Sequence, residues 1–243
     1  VNARGRANAL KNVSLGDYPI EAVLDILDQA YPYHPMGYVT NKEPYKVLIC
    51  CLLSLRSRDV VTMPACTRLF LAADTPQTMV ELPRETMMSL IEPVQFFGNK
   101  AEIIQRVSQE LLDRFSGQVP DNFDDLVSIK GVGPKTANLV LQLGFDQPAI
   151  AVDTHVHRIC NRLGYMSTKT PEQTEAELRK RLPRRYWNII NRVMVRHGQE
   201  ICIAGFPRCD LCPVYDYCMR VDVTPRKSRS PKKEIHEVFL PKG

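Results

Sequence analysis

Apolar residues in this chain recur mainly three and four positions apart. That spacing predicts helices over IEAVLDILDQAY (20–31), PYKVLICCLLSL (44–55), KAEIIQRVSQELLDRF (100–115), GPKTANLVLQLGF (133–145), HVHRICNRLGY (155–165) and PEQTEAELRKRL (171–182). Only PAIAV (148–152) reads as a strand, and it is too short to build a sheet. Joints between the helical runs are short and carry Pro, Gly or Asp, as helix-to-helix connections do. The sequence shows no internal repeat, and the expected fold class is all-α. From Asp222 onward the chain turns polar and basic, which reads as a flexible basic tail over 222–243.

Composition narrows the class. A chain of 243 residues, 44% hydrophobic and 24% charged, has room for one large core or two small ones. No apolar run reaches the roughly 18 residues of a membrane span, and VNARGRANALKN lacks the apolar centre of a secretory signal. The expectation is an intracellular protein with reduced thiols and no disulfide framework. Cys50, Cys51, Cys66 and Cys160 sit in apolar, helix-like runs and read as core. The net charge of +5 is uneven. Residues 219–243 hold seven Lys or Arg against three Asp or Glu, so the other 218 residues carry only +1. Any anion-binding surface must be local. RSRD (56–59) and RKRLPRRY (179–186) could supply it, or could be solvated helix faces.

Three stretches carry candidate chemistry. In ICIAGFPRCDLCPVYDYC (201–218), Cys202, Cys209, Cys212 and Cys218 are spaced C-x6-C-x2-C-x5-C. Four thiolates can hold an iron–sulfur cluster or a zinc ion; zinc sites usually use two short pairs, and here only Cys209 and Cys212 form one. In LVSIKGVGPKTANLVL (126–141), Gly131 and Gly133 permit a tight turn, and Pro134 fits the first helical position. Free amides at such a helix start can cradle a phosphate, although a plain helix joint would look the same. Lys135 stands in the first turn, where the helix dipole opposes a cation and favours the neutral, nucleophilic amine. A solvent-facing or phosphate-touching lysine is the alternative. Asp153 precedes a helical run and suits an N-cap; its carboxylate could also steer or deprotonate Lys135. His155, His157 and His197 read as local structure.

Taken in order, SIKGVGPKTANLVL, IAVDTHVHRICNRLG and the four-cysteine segment resemble the endonuclease III family, DNA glycosylases of the helix-hairpin-helix superfamily. The resemblance extends upstream through LLSLRSRDV (52–60) and PVQFFGNKAEII (93–104), so it covers about residues 20–220. It implies two helical domains with a catalytic cleft between them. A six-helix domain would span 37–147, and residues 1–36 with 148–221 would form the cluster domain. It implies a [4Fe–4S] cluster on Cys202, Cys209, Cys212 and Cys218, with Arg208 and Arg220 of that loop turned to DNA phosphates. It implies a monomer acting on double-stranded DNA that carries damaged bases or abasic sites. Lys135 would attack the sugar of an extruded oxidised pyrimidine and form a Schiff base, with Asp153 assisting. β-Elimination would then cut the strand on the 3′ side. Gly131, Val132 and Gly133 would hold a backbone phosphate.

The chain departs from the family pattern at three places. Arg56 stands where Gln often fills the space left by the extruded base, which puts the opposite-base preference in doubt. Gln95-Phe96-Phe97 replaces a G-L-Y-type loop; Phe96 would be a larger wedge, or a core residue. Lys130 replaces a common Pro and could add a phosphate contact. Two rival readings are a glycosylase without lyase activity and a DNA-binding protein without catalysis. The first would lack Lys135 and the second would need neither Lys135 nor Asp153.

Overall fold

The computed structural model describes residues 18–224. The basic tail expected from Asp222 lies, from residue 225 onward, outside the described residues. Among the described residues twelve α-helices follow one another: α1 (Ile20–Ala30), α2 (Pro35–Thr40), α3 (Pro44–Ser54), α4 (Asp59–Ala72), α5 (Pro76–Glu81), α6 (Arg84–Ile91), α7 (Phe97–Phe115), α8 (Phe123–Ser128), α9 (Pro134–Phe145), α10 (Thr154–Leu163), α11 (Pro171–Arg181) and α12 (Trp187–Glu200). Three single 3₁₀ turns complete the set. Among the described residues no strand forms, and no helix is long and apolar enough to cross a membrane.

Local chemistry sets the helix starts. Proline opens α3, α5, α9 and α11, where its missing N–H costs nothing. Side-chain oxygens of Thr75, Asn122, Asp153 and Thr170 cap α5, α8, α10 and α11. The helices bury two separate apolar clusters. One gathers α2–α9, including Leu48, Leu52, Leu69, Ile104, Leu111 and Val140. The other gathers α1 and α10–α12, including Leu24, Leu27, Val156, Ile159, Leu178 and Ile190. The four cysteines expected in the core, Cys50, Cys51, Cys66 and Cys160, are at most 3% exposed. In the first cluster α3 packs on α9, and Gly144 makes that approach possible. A Cβ there would stand 2.9 Å from the Pro44 backbone.

The six expected helices form within a few residues of their expected bounds, but five short or weakly patterned helices and α12 were not among them. The reason is clearest in α4. Its buried stripe is Thr62, Ala65, Cys66 and Leu69, with helical spacing but small side chains. The larger Val60 and Leu71 face solvent, and Pro64 stands inside the helix. In α12 the buried face includes Asn191, His197 and Gly198, which dilutes the apolar signal.

Segment 148–152 is extended but pairs with no strand. Side-chain amides take the place of a neighbour. Gln142 Nε2 donates to Ala149 O, Asn191 Nδ2 donates to Ala151 O (2.9 Å), and Asn188 Oδ1 accepts from Ala149 N (3.2 Å). This bridge leads from the first apolar cluster into the second and ends on Asp153.

Candidate active site

Lys135 and Asp153 come from different clusters and meet. Lys135 sits in the first turn of α9, and Asp153 is the N-cap of α10. Asp153 divides its oxygens. Oδ1 accepts from the amides of His155 (2.8 Å) and Val156 (3.0 Å). Oδ2 lies 3.3 Å from Lys135 Nζ. The Asp153 side chain is 13% exposed and the Lys135 side chain 40%. The carboxylate is thus held from behind while the amine reaches solvent. Beside the pair, burial pushes the Cys51 thiol up to about 12, and burial also lowers the His155 pKa.

The hairpin before α9 rests on α7. Gly131 has φ of 105°, a conformation that costs glycine little. It is also crowded from below: a Cβ would meet Ile103 Cγ2 at 3.2 Å and Arg106 Nη2 at 3.5 Å. One turn further along α7, Glu110 Oε2 accepts from the Lys130 amide (3.2 Å). A further turn on, Arg114 Nη2 donates to Ser128 Oγ (2.8 Å). Val132 is buried, and its amide donates to Ile129 O (3.0 Å). Gly131, Gly133 and the Lys130 side chain are exposed.

Arg56 and Phe96 lie on two other loops, and both are exposed. Phe96 is 57% exposed, so it is not a core residue; the core contact falls to Phe97. Both Arg56 (φ 57°) and Phe96 (φ 59°) adopt the left-handed region, unusual for side chains of this size.

The four clustered cysteines line one apolar pocket with Ile159, Leu163 and Val214. Three of the sulfurs face nitrogen. Arg162 Nη1 is 3.4 Å from Cys202 Sγ, the Arg220 amide donates to Cys218 Sγ (3.4 Å), and His197 Nε2 is 3.6 Å from Cys212 Sγ. The first two nitrogens are donors, the His197 nitrogen can take either role, and Cys218 Sγ can itself donate to Arg162 O (3.4 Å). Among the described residues no three His, Cys, Asp or Glu side chains converge as they would on a single ion. Arg162 also donates to Ile203 O (2.7 Å) and Ala204 O (2.6 Å), and Arg158 donates to Cys202 O (2.9 Å). Arg208 is exposed, whereas Arg220 lies over the Tyr215 ring. The basic run 179–186 is mostly paired within the chain. Arg179 meets Glu175, Lys180 and Arg181 meet Glu177, and Arg184 covers Trp187.

Residues 49–184 match the family described as HhH-GPD superfamily base excision DNA repair protein. Endonuclease III of Thermotoga maritima is 44% identical over 176 residues, 72% of this chain and 83% of that protein. The chain belongs to the endonuclease III family. Endonuclease III of Escherichia coli K12 is 37% identical over 185 residues, 76% of this chain and 88% of that protein. Among solved structures, a trapped endonuclease III–DNA covalent intermediate, an estranged-adenine complex, matches with a TM-score of 0.75. It is 33% identical and aligns over 83% of this chain and 94% of that one. As an endonuclease III family member, the chain is a DNA glycosylase of base excision repair with associated AP lyase activity.

Sequence reasoning missed the support around this endonuclease III site. Neither Arg158 nor Arg162 stands out in the sequence, yet they fasten the cysteine loop to the helix that Asp153 caps. Lys100 drew no reading of its own. It occupies the first position of the buried stripe Lys100, Ala101, Ile104, Val107, Ser108, Leu111, where an apolar residue is expected. That misfit was the available signal.

Proposed function

We propose that Lys135 is the nucleophile and Asp153 its proton acceptor in excision of oxidised pyrimidines from duplex DNA. The observation that carries this reading is the divided Asp153 carboxylate. One oxygen is fixed by two backbone amides, and the other stands 3.3 Å from an amine that reaches solvent. A cap alone needs only the first oxygen.

The reaction then runs as follows. The damaged nucleotide leaves the helical stack, since its sugar carbon is otherwise out of reach. Lys135 Nζ loses a proton toward Asp153 Oδ2 and forms a bond to C1′. The C1′–N bond breaks, and the base departs with that electron pair and takes up a proton. The sugar ring opens to a protonated imine on Lys135. Asp153 hands its proton to the departing base and, charged again, stabilises the cationic imine that remains. Loss of a C2′ proton sends electrons toward the imine and expels the 3′ phosphate oxygen. The exposed amides of Gly131 and Gly133 suit a backbone phosphate, with Val132 as their buried anchor and Lys130 adding charge. Arg56 would face the orphaned base and Phe96 would wedge between neighbouring bases.

Cys202, Cys209, Cys212 and Cys218 would hold a [4Fe–4S] cluster. Support comes from the apolar pocket the four share and from the nitrogen donors at Cys202 and Cys218. A cluster offers four separate ligation points. Its part is to fix the loop carrying Arg208, not to react.

Borohydride trapping on duplex DNA with an abasic site tests the chemistry. Wild type should give a covalent adduct, and Lys135→Gln should give none while binding the same DNA within about threefold, because phosphate contacts dominate affinity. Undiminished trapping in Lys135→Gln would assign the nucleophile to another amine.

A further inference from the structure

Lys100 is 6% exposed, and its ammonium makes three bonds. It donates to Leu53 O (2.7 Å), Leu55 O (2.6 Å) and Ser57 Oγ (3.3 Å). The first two carbonyls belong to the C-terminal end of α3, where backbone oxygens lack helical partners and a cation is favoured. The third acceptor is shared. Ser57 Oγ also accepts from the Gln95 amide (3.1 Å). Ser57 directly follows Arg56, and Gln95 directly precedes Phe96. The Lys100 amide donates to Phe96 O (3.0 Å), so the same residue grips the second loop through its backbone.

Two loops 40 residues apart in sequence therefore meet at one buried amine. Each places an exposed, large side chain at a left-handed backbone position beside that junction. Such conformations persist only where the surroundings enforce them. Burial lowers the Lys100 pKa to about 8, which raises the question of whether this amine could itself react. The geometry answers it: the nitrogen is turned into the protein, and its donors are occupied.

We infer that Lys100 is a positioning residue, a latch that holds the Arg56 and Phe96 loops in one mutual arrangement so that both side chains enter the duplex together. The inference rests on the reading of Arg56 and Phe96 as the intruding residues. Its own content is that the two act as a unit because of Lys100.

The test is a mutant cycle on lesion excision from duplex DNA under single turnover, with 2-aminopurine beside the lesion to report unstacking. Lys100→Met keeps the length and apolar stem but removes the charge and all three bonds. It should cut excision at least about tenfold, since displacement near 1 Å can cost about a hundredfold, and should reduce the 2-aminopurine signal in step. In an Arg56→Ala/Phe96→Ala background the same change should cost less than about twofold. Ser57→Ala, which removes only the shared hydroxyl, should cost about threefold or more and show the same non-additivity; it carries the test if Lys100→Met does not fold. Wild-type excision in folded Lys100→Met or in Ser57→Ala, or an undiminished loss in the double-alanine background, would overturn the latch alone. Unchanged excision and unstacking in Arg56→Ala/Phe96→Ala would overturn the wedge reading and the latch with it.

Discussion

Replacing Asp153 with Asn separates the two duties of one carboxylate. Asn caps a helix about as well as Asp, so the bonds at Oδ1 survive. The charge facing Lys135 at Oδ2 does not. Asp153→Asn should melt within a few degrees of wild type yet excise a damaged base at least about tenfold more slowly, and cleavage at a pre-formed abasic site should suffer less because no glycosidic bond must break. Equal excision rates in a single-turnover assay would reduce Asp153 to a cap. Asp153→Ala adds loss of the cap, about 0.5–2 kcal/mol, and should lower the urea midpoint measurably. Lys135 and Asp153 were legible in the sequence because each draws attention locally, a cation at a positive helix end and a strong cap before a short helix. Lys100 was not, because its acceptors lie more than 40 residues away. Phe96 and Phe97 are indistinguishable in sequence. One backbone angle decides that Phe96 faces out and Phe97 in.

At the scale of an element, apolar spacing gave the long amphipathic helices and failed where burial selects small or polar side chains, as in α4 and α12. The extended bridge at 148–152 shows a related limit. Its partners are amides from α9 and α12, a solution no local pattern announces. α2 adds a testable case. Its N-cap is His34, whose Nδ1 accepts from the Met36 amide (3.2 Å). Burial, with the Arg192, Lys135 and Arg196 cations nearby, lowers the His34 pKa to about 4. Only the neutral ring can accept that bond. Between pH 6.5 and about 4 the unfolded chain binds a proton that the folded chain refuses. The contribution of His34 is therefore fully present above pH 6.5 and is lost as pH falls toward 4. Urea midpoints across that window should fall less steeply in His34→Asn, which keeps a capping oxygen and does not titrate. Parallel slopes would show that His34 contributes no pH dependence.

At the scale of the molecule, two apolar clusters are joined by the bridge, by the Lys135–Asp153 pair and by Gln199, whose amide reaches Asp59 on α4 (3.2 Å). The cysteine loop is fastened to α10 by Arg158 and Arg162, so its order and the placement of Asp153 are mechanically connected. The purified protein should be brown, with iron and sulfide in equal amounts and no zinc. Cys212→Ser should bleach the colour and lower the melting temperature; an unchanged melting curve, or zinc in place of iron, would remove the cluster from the account of stability. Family membership was readable from three motifs because they combine unusual residues in a fixed order. The support beneath them was not, because it is built from ordinary residues on one helix.

That helix is α7. Phe96 caps its start, Lys100 joins the Arg56 loop to it, and Ile103, Arg106, Glu110 and Arg114 underlie the hairpin. The three patches proposed to face the nucleic acid thus share a single mount. A repair enzyme must test very many intact base pairs for each lesion it meets. With a common mount, the entropy of ordering the contact surface is lost once, at folding, and not again at every base pair tested. The encounter with undamaged DNA can then remain brief and weak, governed by the cost of opening the duplex and not by rearrangement of the protein.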